Sequence, residues 1–101
     1  MMDLNQIIIP SLDLSISVPF YQKLGLKLIV NALPHYARFE SLDGESTFSV
    51  RKAKEPPTGS GIYVYFECEN LDETVGDLIK KGIFFDEYPA DMRWLWREAR
   101  L

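Results

Sequence analysis

The sequence holds a single cysteine and a single histidine, and each scarcity removes a class of protein. Cys68 has no second thiol to pair with, so a scaffold stapled by internal disulfides is excluded. Its apolar, aromatic surroundings predict a buried, inert thiol. His35, in the turn Pro34-His35-Tyr36, has no second imidazole to join it at a metal and reads as a solvent-facing turn residue. Long apolar runs are missing as well: Ile7-Ile8-Ile9 stops at Pro10, and no stretch could span a membrane. The opening ten residues lack the basic segment of a secretory signal, which points to a cytoplasmic setting. A concentrated positive surface is also absent. Fifteen acidic and 11 basic residues give a net charge of −4, and outside Arg51, Lys52, Lys54 and the tail Arg93, Arg97, Arg100 the cations are scattered. Nucleic acid is therefore not expected as a partner. No glycine-rich segment has the spacing of a phosphate-cradling loop.

What remains is ordinary for a folded chain: 101 residues, 47% apolar and 26% charged, enough for one domain with a modest core. The strongest feature is an internal repeat. Sliding the sequence by 57 positions aligns Gln6-Ile7-Ile8-Ile9 with Tyr63-Val64-Tyr65-Phe66, Asp13 with Asn70, Leu14 with Leu71, Val18 with Val75, Tyr21 with Leu78, and Gly25 with Gly82. Each copy reads as a strand, a helix capped by Asp or Asn, and a glycine where the helix ends. Asn70 and Glu73 have capping-box spacing, and Leu71, Val75, Leu78 and Ile79 form one apolar stripe. Pro19 and Gly76, both poor helix formers, fall at equivalent positions, with no physical account in the sequence.

Further strands are expected at 26–30, 36–40 and 47–51 in the first copy, and at 84–87 and 94–101 in the second. The first module thus covers residues 1–54, a Pro- and Gly-rich linker 55–61, and the second module 62–101. The first copy has four expected strands and the second only three.

This order, with Asp13-Leu14 followed by Phe20-Tyr21-Gln22-Lys23-Leu24-Gly25-Leu26, resembles the vicinal oxygen chelate superfamily of glyoxalases, bleomycin-resistance proteins and dioxygenases. The resemblance spans the whole chain. It implies an α+β fold: tandem βαβββ modules forming a curved mixed sheet around a cleft within a single domain, the second module lacking its last strand. It also implies a final strand after Leu101 that supplies an acidic metal ligand.

The metal positions implied by the resemblance map to Gln6, Ser49 and Tyr63. A divalent cation favours imidazoles and carboxylates, which repay its dehydration, and this set has neither. No cofactor is expected and a divalent metal is disfavoured. Strand alternation instead puts Gln6 with Ile8, Ser49 with Arg51, and Tyr63 with Tyr65 and Glu67. Together with Trp94 and Trp96, these nine residues are the candidate ligand-binding set of a mostly apolar cleft between modules. The tyrosines serve equally well as core or interface aromatics, and the tryptophans as a ligand-stacking platform or a subunit staple. Glu67 and Glu98 are conceivable acid–base groups without a partner to complete a catalytic pair. The expectation is a metal-independent small-molecule binding protein, a homodimer. The alternatives are a metal-dependent lyase or dioxygenase, such as a lactoylglutathione lyase, using a ligand beyond Leu101, and a structural dimerisation module.

Overall fold

A computed structural model describes residues 2–41, 44–55, 62–93 and 97–101. The chain divides into two compact units, Met1–Ser60 and Gly61–Leu101.

The first unit runs β1 (Gln6–Ser11), α1 (Leu14–Lys23), β2 (Lys27–Ala32), β3 (Tyr36–Glu40) and β4 (Thr47–Lys52). Its mixed sheet has the order β1-β4-β3-β2. β1 and β4 are parallel, and the other pairs are antiparallel. Alternation along the strands decides which side is core. Ala37 and Phe39 on β3 and Phe48 and Val50 on β4 are buried, together with Leu14 and Val18 of α1. Tyr21 completes this layer, its ring 4.7 Å from Phe48 and 5.8 Å from Phe39 between centroids. The opposite face of the sheet carries Gln6, Ile8, Tyr36, Arg38, Thr47, Ser49 and Arg51.

The second unit contains α2 (Leu71–Lys80), β5 (Glu87–Asp91) and β6 (Arg97–Arg100), the two strands forming an antiparallel hairpin. Val75, Leu78, Ile83 and Phe85 are buried. Pro89 sits at the register shift between Glu87 and Ala90, where a missing N–H costs the ladder least.

Both helices begin and end as the repeat predicts. The Asp13 carboxylate accepts the Ser15 amide at 2.9 Å, and Asn70 accepts the Glu73 amide at 3.1 Å. At the far ends Gly25 (φ +101°) and Gly82 (φ +90°) adopt left-handed backbone. Their amides bond the Gln22 and Ile79 carbonyls, while those of Leu26 and Ile83 reach back to Tyr21 and Leu78. This paired pattern is the Schellman closure, made twice at equivalent positions.

Several expectations need correction. Residues 62–68, expected to hold a strand, belong to none. In the first unit the equivalent strand, β1, pairs with β4. Cys68, on that segment, is exposed rather than buried. The strand expected at 84–87 begins only at Glu87, because Ile83 and Phe85 first turn into the core. β2 continues through Asn31 and Ala32, which read as a turn. Ile79 is exposed and leaves the apolar stripe of α2.

Candidate ligand site

Strand register brings the first half of the candidate set together. Gln6 lies opposite Thr47, Ile8 opposite Ser49 and Pro10 opposite Arg51 across the parallel β1–β4 pair, so Gln6, Ile8, Ser49 and Arg51 share one sheet face. Ser49 is fully buried, and its hydroxyl donates to Gln6 Oε1 at 2.8 Å. The Tyr36 hydroxyl, reaching across from β3, lies 2.9 Å from Ser49 Oγ and donates to Gln6 Oε1 at 3.4 Å. The three side chains therefore form a neutral hydrogen-bonded trio, in which a buried polar oxygen is satisfied by its neighbours.

Two further features flank the trio on the same unit. Arg38 donates through Nε to Thr47 Oγ1 at 2.9 Å and through Nη2 to Asn5 Oδ1 at 3.0 Å, which fixes a cation beside Gln6. At the carboxyl ends of β1 and β4, Ile8, Ile9, Pro10, Arg51, Lys52 and Ala53 line an open depression of about 380 Å³. Its floor is apolar and its rim holds two exposed cations.

The rest of the candidate set lies in the second unit. The Tyr63 ring carries the Arg100 guanidinium 5.4 Å from its centroid. Tyr65 and Glu67 are exposed on the same segment. Trp94 and Trp96 fall outside the described residues. His35 is an exposed turn residue, as its sequence context predicts. Tyr36 and Arg38 were missed by sequence reasoning. Their alternation with Ala37 and Phe39 placed them opposite the core, but only the β3–β4 register, with Tyr36 opposite Arg51 and Arg38 opposite Ser49, brings them to Gln6 and Ser49.

Solved structures with this architecture are numerous. A glyoxalase/bleomycin resistance protein/dioxygenase from Nocardioides superposes with a TM-score of 0.74 at 23% identity, over 99% of this chain and 78% of that one. The fold is that of the glyoxalase/bleomycin resistance protein/dioxygenase superfamily. A bleomycin resistance determinant encoded on transposon Tn5 gives 0.76 at 17% identity, covering 97% of this chain and 86% of that one. Lactoylglutathione lyase from Agrobacterium tumefaciens gives 0.75 at 13%, covering 96% and 82%. No protein-family model matches the sequence, and no curated protein matches it significantly.

The resemblance drawn from the sequence implies a divalent cation at Gln6 and Ser49, and the donors present there do not suit one. Gln6 Oε1 is already an acceptor for two hydroxyls. Ser49 and Tyr36 are neutral and engaged with each other. Neither charge nor imidazole is available to offset the cation's dehydration, and the trio does not fit a metal. Among the described residues no group of three or more His, Cys, Asp or Glu side chains could hold an ion. Likewise, no described helix is long and apolar enough to cross a membrane.

Proposed function

We propose that this chain is a metal-independent small-molecule binding protein of the glyoxalase/bleomycin-resistance type. One observation carries the reading: the position that a metal-binding relative would use, Gln6, is closed by hydrogen bonds to Ser49 and Tyr36. Beside it lies an apolar depression with Arg51 and Lys52 at its rim. The ligand is amphipathic, with a planar apolar body against Ile8 and an acidic or hydrogen-bonding edge toward Arg51. The protein is taken to act in the cytoplasm as a homodimer; an exposed thiol at Cys68 accords with a reducing compartment.

The test combines elemental analysis of protein purified with metals available and calorimetric titration with a panel of planar amphipathic molecules, bleomycin included. Less than a tenth of a metal ion per chain, with saturable binding lost in Arg51→Ala, is expected. A stoichiometric metal that supports turnover of a hemithioacetal or a catechol would overturn the reading and favour a lyase or dioxygenase.

A further inference from the structure

Arg38 is half-buried on β3, opposite Ser49 in register, with Tyr36 and Glu40 beside it on the same sheet face. Its Nε donates to Thr47 Oγ1 at 2.9 Å and its Nη2 to Asn5 Oδ1 at 3.0 Å. Both acceptors are neutral, and Nη1 has no acceptor among the described residues. No described carboxylate lies within ion-pair distance of Arg38. Glu40, the acid on its own strand face, is opposite Lys27 and meets that ammonium at 3.9 Å instead.

Two hydrogen bonds to neutral oxygens do not account for a charge at this place. A neutral amide could donate to Thr47 and Asn5 as well, whereas a half-buried cation without a counter-ion carries a desolvation cost that nothing on the sheet offsets. What the two bonds do is hold the planar guanidinium in one orientation, so that little freedom is left to lose when a further partner arrives. Charge distribution points the same way. The chain carries a net −4, yet the strand residues of this face set Lys27, Arg38 and Arg51 against Glu40. The face is locally positive on an acidic protein, which concentrates anions there.

We propose that Arg38 is an anion receptor within the ligand site: its Nη1 side takes a carboxylate or phosphate group of the ligand, and so selects acids over neutral or cationic molecules of the same shape. A guanidinium held in a fixed plane is matched to either group through charge-assisted hydrogen bonds. Gln6 and Ile8, neighbours on one face of β1, are about 7 Å apart. A small aryl acid therefore reaches from the apolar wall at Ile8 to a guanidinium fixed beside Gln6. This proposal rests on the reading of that face as a ligand site and adds the charge of the ligand to it.

The test follows the Arg38 side-chain Nε–H resonance of the full chain in proton–nitrogen correlation spectra during titration with benzoate, phenyl phosphate, benzamide and benzylamine. Benzoate and phenyl phosphate are expected to shift it saturably, about tenfold more tightly than benzamide, with affinity falling as salt is added. The tighter of the two acids tells carboxylate from phosphate, and benzylamine should leave the resonance in place. Arg38→Gln should bring benzoate to the level of benzamide, and Arg38→Lys, which keeps the charge but not the fork, should restore part of the preference. Should Arg38→Gln fail to fold, the titration of the unaltered chain still decides. No saturable shift at Arg38 with either acid would overturn the proposal, as would an undiminished preference for benzoate in Arg38→Gln, which would give the recognition to Arg51. Equal affinity for benzoate and benzamide would also overturn it while leaving the ligand site standing. Saturable binding of acetate as tight as that of benzoate would support the receptor and sink the amphipathic ligand instead.

Discussion

Ser49 is the side chain on which the candidate site turns. It is a small hydroxyl in a fully buried position that gives its proton to Gln6 and meets Tyr36. Removing one member of a buried hydrogen-bonded set costs about 1–2 kcal/mol, so Ser49→Ala should lower unfolding free energy by about that amount in urea titrations, with an unchanged denaturant slope. The glycines at the helix ends give a cleaner contrast. A Cβ at Gly25 would meet nothing within 4 Å, so Gly25→Ala loses only the left-handed conformation, about 1–2 kcal/mol. Gly25→Asn should recover part of it, as measured by thermal melts. Asp13 shows a pH effect at the same scale. The Ser15 hydroxyl and amide hold its carboxyl below the ordinary aspartate value. A depressed carboxylate stabilises the fold above its unfolded value, near pH 4, and that contribution is lost as pH falls through the folded value. Helical ellipticity at α1 should therefore weaken as pH falls below about 4, and Asp13→Asn, which keeps the cap, should flatten that acid limb.

At the scale of elements, packing outweighs surface charge. α1 seals the first sheet through Leu14, Val18 and Tyr21, with Phe39 fully buried beneath. Phe39→Ala should cost about 3–5 kcal/mol, a large fraction of what a domain of this size holds, and denaturant midpoints will report it. Arg97 joins α2 to the hairpin through Asp72 and Asp91 at 3.0 and 3.1 Å, but all three side chains are 40% exposed or more. Water and salt screen such pairs, so Arg97→Met should change stability by less than about 1 kcal/mol. The contrast between these variants separates buried contact from visible ion pairing.

At the scale of the whole molecule, the two units differ in how completely the repeat is realised. The first has a four-stranded sheet whose third and fourth strands are flanked on both edges, whereas the described hairpin of the second has one ladder. Amides of β3 and β4 should therefore outlast those of β5 and β6 in native hydrogen exchange by at least an order of magnitude, as local opening scales with missing partners. A chelator should leave the melting temperature within about 1 °C of its value without chelator, since the proposed fold energy includes no metal term.

The repeat offset, both helix caps, the two glycine closures and the strands at 36–40 and 47–51 were legible in the sequence, because each follows from contacts within a few residues: a side-chain oxygen on a nearby amide, a left-handed glycine, a two-residue alternation. The same alternation placed Gln6 with Ile8 and Ser49 with Arg51. Whether residues 63–66 formed a strand was not legible, because a strand needs a neighbour and its apolar pattern is silent on whether one is present. For the same reason Tyr36 and Arg38 stayed hidden as site residues. Local chemistry determined the elements and their ends. Register between strands distant in sequence, which only the tertiary structure decides, set which side chains meet.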